Sequence, residues 1–130
     1  AVKAAIDLAH DSNAKVTALH VFPKFSGSPY GTYGPAEDVL EEAHRNQAQA
    51  EGDRLFTTLR KSADAAGVQF DAVLVENNNV WEQVISIAKK KKCDLICMAS
   101  HGRRGIAGVL LGSETQKVLT HTKIPVLVVR

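Results

Sequence analysis

The order in which helical and strand patterns alternate along this chain constrains its fold more than any other feature. Two short runs, Leu95–Met98 and Val126–Val129, are apolar at every position, which is typical of strands that are buried on both faces. Strands that alternate with helices form parallel sheets, because a connection between parallel strands has to cross the sheet and is usually a helix. The sequence therefore predicts an α/β fold, with a doubly wound parallel sheet and helices on both faces.

Apolar spacing, turn residues and prolines set the predicted boundaries of these elements. Helices are predicted over 1–10, 36–66, 80–92 and 113–121, and strands over 15–22, 68–76, 95–99 and 125–130. Gly67 follows the longest helix, where a glycine commonly ends a helix. Gly52, inside that helix, indicates a bend or a close contact. Because no repeat, low-complexity tract or linker separates these elements, we expect residues 1–130 to form a single domain.

The start of the sequence departs from the usual pattern of such a fold. A doubly wound domain normally opens with a strand, whereas this sequence opens within a helical pattern and without Met. We therefore expect a first strand and its turn before Ala1. The turn after the first strand is a usual ligand contact in these folds.

Composition and charge narrow the class of function. The net charge of +2 is too small to indicate a nucleic-acid partner or an acidic membrane surface. No apolar run approaches the roughly 20 residues that span a bilayer. The spacing of Cys93 and Cys97 is not that of a zinc or redox motif, so we expect free thiols in a reducing compartment. These features favour a cytoplasmic protein with neither nucleic acid nor membrane as a partner, and the scattered histidines indicate no metal site.

The main functional signal is a strand, a glycine-bearing loop and a helix start, in that order. The strand ends at Ala99, the loop contains Gly102, and Gly112 precedes the helix that begins at Ser113. Glycines allow the backbone to approach a ligand closely, and the free N–H groups at a helix start attract phosphate. The sequence therefore predicts an anion site between Ala99 and Ser113.

Several residues of this segment have a second interpretation. Ser113, followed by Gln116, fits a capping box, so its side chain is expected to cap the helix while backbone amides remain for a phosphate. Arg103 and Arg104 either contact outer phosphates or are solvated. The carboxylate of Glu114 would have to face away from any bound phosphate.

From Ala99 onward the sequence resembles the universal stress protein family. The mark of that family is a Gly, two residues, a second Gly, nine residues, and a third Gly followed by Ser, Thr or Asn. Gly102, Gly112 and Ser113 match the second and third positions, whereas Ala99 occupies the first. Met98, His101 and the closing segment 123–129 agree with the family as well.

The resemblance implies a Rossmann-like fold, similar to that of the adenine nucleotide alpha hydrolases, and the nucleotide-binding branch of the family. The implied ligand is ATP or AMP, with Mg²⁺ possible beside ATP. Val21 would contact adenine, Met98 and Ala99 would lie at a strand end, and His101 would lie in the phosphate loop. Together with the anion argument, the candidate nucleotide-binding residues are Val21, Met98, Ala99, His101, Gly102, Arg103, Gly112, Ser113, Glu114 and Thr115.

The leading functional hypothesis is a dimeric, nucleotide-dependent regulator of a stress response. The resemblance implies a homodimer through the last strand, Val126–Val129. The alternative is an interaction module that keeps the fold and the dimer but binds no nucleotide, which Ala99 favours. No P-loop, nucleophile elbow or zinc signature is present, so we expect no catalytic or metal-binding residues and at most a slow ATPase.

Overall fold

The computed structural model describes residues 1–27, 35–100 and 111–130. The predicted order of helices and strands is confirmed in this part of the chain, with boundaries displaced by only one or two residues. The elements are α1 (Val2–Asp11), β1 (Lys15–Phe22), α2 (Pro35–Ala65), β2 (Gln69–Glu76), α3 (Val80–Lys90), β3 (Ile96–Ala99), α4 (Ser113–His121) and β4 (Val126–Val129).

The described strands are all paired in parallel, as predicted. β1 pairs with β2 from Lys15↔Gln69 to Phe22↔Glu76, and β3 pairs with β4 from Ile96↔Val126 to Ala99↔Val129. The sequence predicted one sheet, whereas the described strands are hydrogen-bonded as two separate pairs. Packing connects the pairs, because α3 contacts both β1 and α4.

Helices cover both faces of the first pair. Side chains of β1 and β2 are half-buried at every position after the first residue of each strand. Since successive side chains of a strand project to opposite faces, both faces of this pair are partly covered, and α1, α2 and α3 all contact these strands. The prediction of helices on both faces is therefore confirmed for β1 and β2.

Two contacts indicate that the strands of both pairs end at the same edge. α3 runs back along β2, because Lys91, which follows α3, donates to Asp71 Oδ2 near the start of β2 at 2.7 Å. At the opposite edge, Trp81 in the first turn of α3 donates its backbone N–H to Glu114 Oε2 in the first turn of α4, at 2.9 Å. The carboxyl ends of the strands thus share one edge with the first turns of α3 and α4, where ligands bind in open α/β sheets.

Two apolar clusters hold the elements together. The first joins α1, α2 and the residue before β2, and contains Ile6, Ala9, Ala63 and Val68. The second joins α3, β3 and α4, and contains Ile85, Ala88, Ile96 and Val118. Trp81 packs against the second cluster.

The structure explains why glycine stands at position 52, within α2, and at position 67, after its end. Gly67 adopts a left-handed φ of 69°. There Val68 N donates to Ala63 O at 2.9 Å and Gly67 N donates to Asp64 O at 3.0 Å, which closes the end of the helix. A Cβ on Gly52 would lie 3.0 Å from Leu74 Cδ1, so this glycine allows α2 to approach β2 closely.

No helix in the described part of the chain is long and apolar enough to cross a membrane.

Candidate functional site

Backbone hydrogen bonds bring the end of β3 and the start of α4 together. Ser100 N donates to Val129 O at 2.7 Å, which ties the residue after β3 to the end of β4. Gly112 N then donates to Ser100 O at 2.6 Å. Ser100 and Gly112, which lie on either side of the predicted anion loop, therefore meet at the end of β3.

Gly112, rather than Ser113, is the N-cap of α4. Gly112 has φ −66° and ψ 146°, the extended conformation typical of an N-cap, and no side-chain capping hydrogen bond is made in the described residues. The predicted capping box of Ser113 and Gln116 is therefore wrong. Since the helix begins one residue earlier than a Ser113 cap requires, Ser113 is already its first helical residue, and its side chain is exposed.

The first amides of α4 have no acceptor within the helix. The first intrahelical bond runs from Gln116 N to Gly112 O at 2.9 Å. The N–H groups of Ser113, Glu114 and Thr115 precede it, and a helix start leaves such groups for another acceptor. With a glycine as the N-cap, no cap side chain competes for them, so an anion can approach these three amides.

The side chain of Glu114 does not oppose this anion site by direct contact. Its Oε2 accepts the backbone N–H of Trp81 at 2.9 Å, and its Oε1 accepts from Lys117 Nζ at 3.1 Å. A phosphate at the start of α4 requires this carboxylate to face away from it. The two contacts meet that requirement, because they hold the carboxylate against the start of α3. Nothing in the sequence pattern around Trp81 indicated the contact with Glu114.

Thr115 connects α4 to β3 through its side chain. Thr115 is 4% exposed, and its Oγ1 donates to Ala99 O at 3.0 Å. The hydroxyl is therefore already used, and only the backbone amide of Thr115 remains for a ligand. Ala99 itself is exposed at the end of β3.

The residues implied for the adenosine lie near the same edge but on different strand pairs. Val21 is half-buried next to the end of β1, opposite Val75. Met98 lies next to the end of β3 and packs against the second apolar cluster. His101, Gly102, Arg103 and Arg104 lie outside the described residues.

Hydrogen bonds hold the segment after β1 at this edge, and they involve residues that the sequence did not indicate as part of the site. Lys24 N donates to Asn78 Oδ1 at 2.9 Å. The ring nitrogen Nε2 of His44 donates to Pro23 O at 2.8 Å. The ring of His44 also contacts Phe22 and Phe25, with centroids 6.2 and 5.8 Å away. The signal available in the sequence was the run of three asparagines at 77–79.

The opposite edge carries an ion-pair cluster and a shallow cavity. Lys91 donates to Asp71, and this hydrogen bond holds the pKa of the Asp71 carboxyl below its ordinary value. A cavity of about 450 Å³ lies there, lined by Ala9, His10, Asn13, Ala14, Lys15, Ala66, Gly67 and Gln69. His10 Nδ1 lies 2.8 Å from Ala66 O, so its polar ring atom is used within the fold.

Thiol and metal chemistry have little support in the described residues. Cys93 and Cys97 are both free and half-buried, as predicted, and burial raises the pKa of the Cys97 thiol. A thiol with a raised pKa is a poor nucleophile, because the thiolate is the reactive form. Within residues 1–27, 35–100 and 111–130, no three His, Cys, Asp or Glu residues are grouped to hold a metal ion.

Comparison with known proteins decides the family. The model of the universal stress protein family matches residues 1–130. The chain belongs to this family. It is 32% identical to universal stress protein MJ0531 of Methanocaldococcus jannaschii over 133 residues, covering all of the chain and 73% of that protein. It is 30% identical to universal stress protein YxiE of Bacillus subtilis, covering all of the chain and 88% of that protein.

Solved structures of the family have the same fold. Universal stress protein UspA from Lactobacillus plantarum superposes with a TM-score of 0.82 at 20% identity, over 98% of the chain and 86% of that protein. A universal stress protein solved in complex with cAMP superposes with a TM-score of 0.65 at 25% identity, over all of the chain and 84% of that protein. Neighbours from Archaeoglobus fulgidus and Arabidopsis thaliana, 18% and 17% identical, were solved with dAMP and AMP. Nucleotide complexes therefore occur among the structural neighbours of this chain.

Proposed function

We propose that this universal stress protein binds an adenine nucleotide with its phosphates at the start of α4. The observation that carries the proposal is the glycine N-cap, which leaves the amides of Ser113, Glu114 and Thr115 without a capping side chain. Anions are stabilised at such a helix start, because the N–H groups and the positive end of the helix dipole both face the ligand. The nucleotide complexes of structural neighbours support the same class of ligand.

The rest of the nucleotide extends along the carboxyl edge of the strands in this proposal. Val21 contacts the adenine and Met98 and Ala99 lie beside the adenosine, while His101, Gly102 and Arg103, which lie outside the described residues, are the further candidates for the phosphates. The ligand is AMP or ATP. Mg²⁺ would arrive with ATP, held mainly by phosphate oxygens and water, as is usual for this ion.

The proposed role is that of a cytoplasmic regulator, built as one domain over residues 1–130, that responds to nucleotide rather than consuming it. The two free thiols support a reducing compartment. A homodimer through β4 is part of the proposal, because β4 has a hydrogen-bonded neighbour on only one side among the described strands. An unpaired strand edge is a natural template for a second copy.

A Gly112→Asp variant tests the phosphate site without removing the fold. The φ and ψ of Gly112 suit an aspartate N-cap, so the new carboxylate would accept from these amides and stabilise α4 by a few tenths of a kcal/mol. The same carboxylate would exclude and repel a phosphate. We expect AMP and ATP affinity, measured by calorimetry, to fall at least about tenfold, or 1.4 kcal/mol, while the melting temperature stays or rises.

Gly112→Asn is the matched control, because it supplies a neutral capping oxygen of the same size. It should weaken binding less than Gly112→Asp, since it competes for the amides but adds no charge. Unchanged affinity in both variants would place the phosphates elsewhere. Absence of binding in the folded wild-type chain would favour the alternative, a dimeric interaction module without nucleotide, to which Ala99 already points.

A further inference from the structure

The first turn of α4 contains a negative charge that a phosphate site does not need. Glu114 is the second residue of α4, and its backbone amide is one of the three offered to the anion. Its carboxylate is fixed by two contacts, from Trp81 N at 2.9 Å and from Lys117 Nζ at 3.1 Å. The charge therefore stays within one helical turn of the proposed phosphates while its oxygens point toward α3.

We infer that Glu114 is a specificity-determining residue that disfavours nucleotides with more phosphate charge, so that the site prefers AMP to ATP. This inference rests on the function proposed above. ATP carries about two more negative charges than AMP, and each additional charge is repelled by the carboxylate. In this inference the amides bind the α-phosphate common to both ligands, and the carboxylate repels the additional charge of the outer phosphates of ATP whether or not Arg103 also contacts them.

Two features of the site keep this repulsion effective. The side chain of Glu114 is 37% exposed, so solvent screens it only in part. Lys117 neutralises it incompletely, because the lysine is itself 49% exposed and exposed pairs interact weakly. A partly screened charge within one helical turn of a bound ion changes the affinity of that ion about three- to tenfold at low salt.

The hydrogen bond to Trp81 allows charge and structure to be separated. Glu114→Gln keeps an oxygen that can accept Trp81 N–H, but it removes the negative charge. Ala at the same position removes both the charge and the hydrogen bond. If the charge acts, Glu114→Gln and Glu114→Ala shift the nucleotide preference alike, although only the second loosens the contact between α3 and α4.

The test compares AMP and ATP affinities of the full chain without divalent cations, so that no metal masks the phosphate charge. Trp81 is the only tryptophan and lies against this turn, so its fluorescence reports binding, with calorimetry as a second measurement. In Glu114→Gln we expect ATP to bind about three- to tenfold more tightly and AMP less than about twofold more tightly at low salt. The change in the ratio should shrink at about 0.5 M salt, where the screening length is only a few ångströms.

Asp94→Asn is the matched charge control. Asp94 precedes β3 at the opposite edge of the strands and is exposed, so removing its charge should leave the ratio of ATP to AMP affinity unchanged. An equal shift in this control, or an unchanged ratio in Glu114→Gln with both nucleotides still bound, would overturn the inference and leave the proposed function standing. Binding of neither nucleotide by the wild-type chain would overturn the proposed function and the inference together.

Discussion

At the scale of single residues, Gly112 and Thr115 set the geometry at the start of α4, because Gly112 is the N-cap and Thr115 donates its hydroxyl to Ala99 O. The succession of Ala99, Gly112 and Ser113 predicted a strand end, a loop and a helix start, and the structure confirms the two described ends of that loop. The capping role of Ser113 was wrong, because sequence pattern cannot fix which of two neighbouring residues leaves helical φ and ψ. The contact between Glu114 and Trp81 could not be predicted, since it depends on how two helices pack.

Thr115 gives a prediction at this scale. Thr115→Val preserves the shape of the side chain but removes the donor to Ala99 O, which leaves a carbonyl at the end of β3 without that partner. This hydrogen bond is part-buried, and loss of such a bond costs about 0.5–1.5 kcal/mol. We expect chemical denaturation to show a destabilisation in this range.

Thr115→Ser is the control for that experiment, because it retains the hydroxyl and removes only a methyl group. It should keep more of the stability than Thr115→Val. If valine proved as stable as the wild type, the hydroxyl would not connect α4 to β3.

At the scale of elements, helix and strand types could be predicted from the periodicity of apolar residues. The Gly67 helix end was also predictable, because a left-handed conformation after a helix favours glycine. Boundaries moved by a residue or two, as at the end of α3, where Lys91 and Lys92 close the helix in place of continuing it. The reason is physical: the last turn of a helix is decided by local hydrogen bonds that periodicity does not record.

The closeness of α2 to β2 gives a prediction at this scale. Gly52→Val would place its Cβ 3.0 Å from Leu74 Cδ1, and the two further methyl groups have to enter the same packed contact. We expect a destabilisation of about 1–3 kcal/mol, the usual range for overpacking. Thermal and denaturant unfolding would measure it.

A Leu74→Ala background removes the atoms with which the new side chain collides. Gly52→Val should cost clearly less in that background than in the wild type. Equal costs in the two backgrounds would mean that α2 and β2 do not meet at these residues.

At the scale of the whole molecule, the sequence predicted the parallel α/β architecture. It did not predict that the described strands form two separate hydrogen-bonded pairs. Patterns such as Val126–Val129 indicate that a strand is buried, yet they do not say which strand it pairs with. The structure pairs β3 with β4 and β1 with β2, and α3 packs between the pairs. Strand partners follow from tertiary packing, to which a single sequence gives no direct signal.

The proposed dimer gives a prediction at this scale. Leu127 is 36% exposed on β4, whereas Val126 packs against the second apolar cluster. Leu127→Asp should therefore disrupt an interface at β4 with little damage to the core. We expect the dissociation constant of the dimer, measured by sedimentation or light scattering, to rise at least about tenfold, which is 1.4 kcal/mol.

Leu119→Asp is the control, because Leu119 is 42% exposed on α4 rather than on the strand. It should leave the molecular mass in solution unchanged. If Leu127→Asp had the same molecular mass in solution as the wild type, a dimer through β4 would be contradicted.

The most direct test of the account is the response of individual backbone amides to AMP, recorded by NMR on the isotope-labelled chain. Phosphate bound at the start of α4 should move the amide proton signals of Ser113, Glu114 and Thr115 downfield in a saturable way, because these N–H groups gain a charged acceptor. Signals near His10 and Gly67, at the opposite edge, should stay in place. Saturable changes confined to that opposite edge, or no change anywhere in the folded protein, would contradict a nucleotide site at α4.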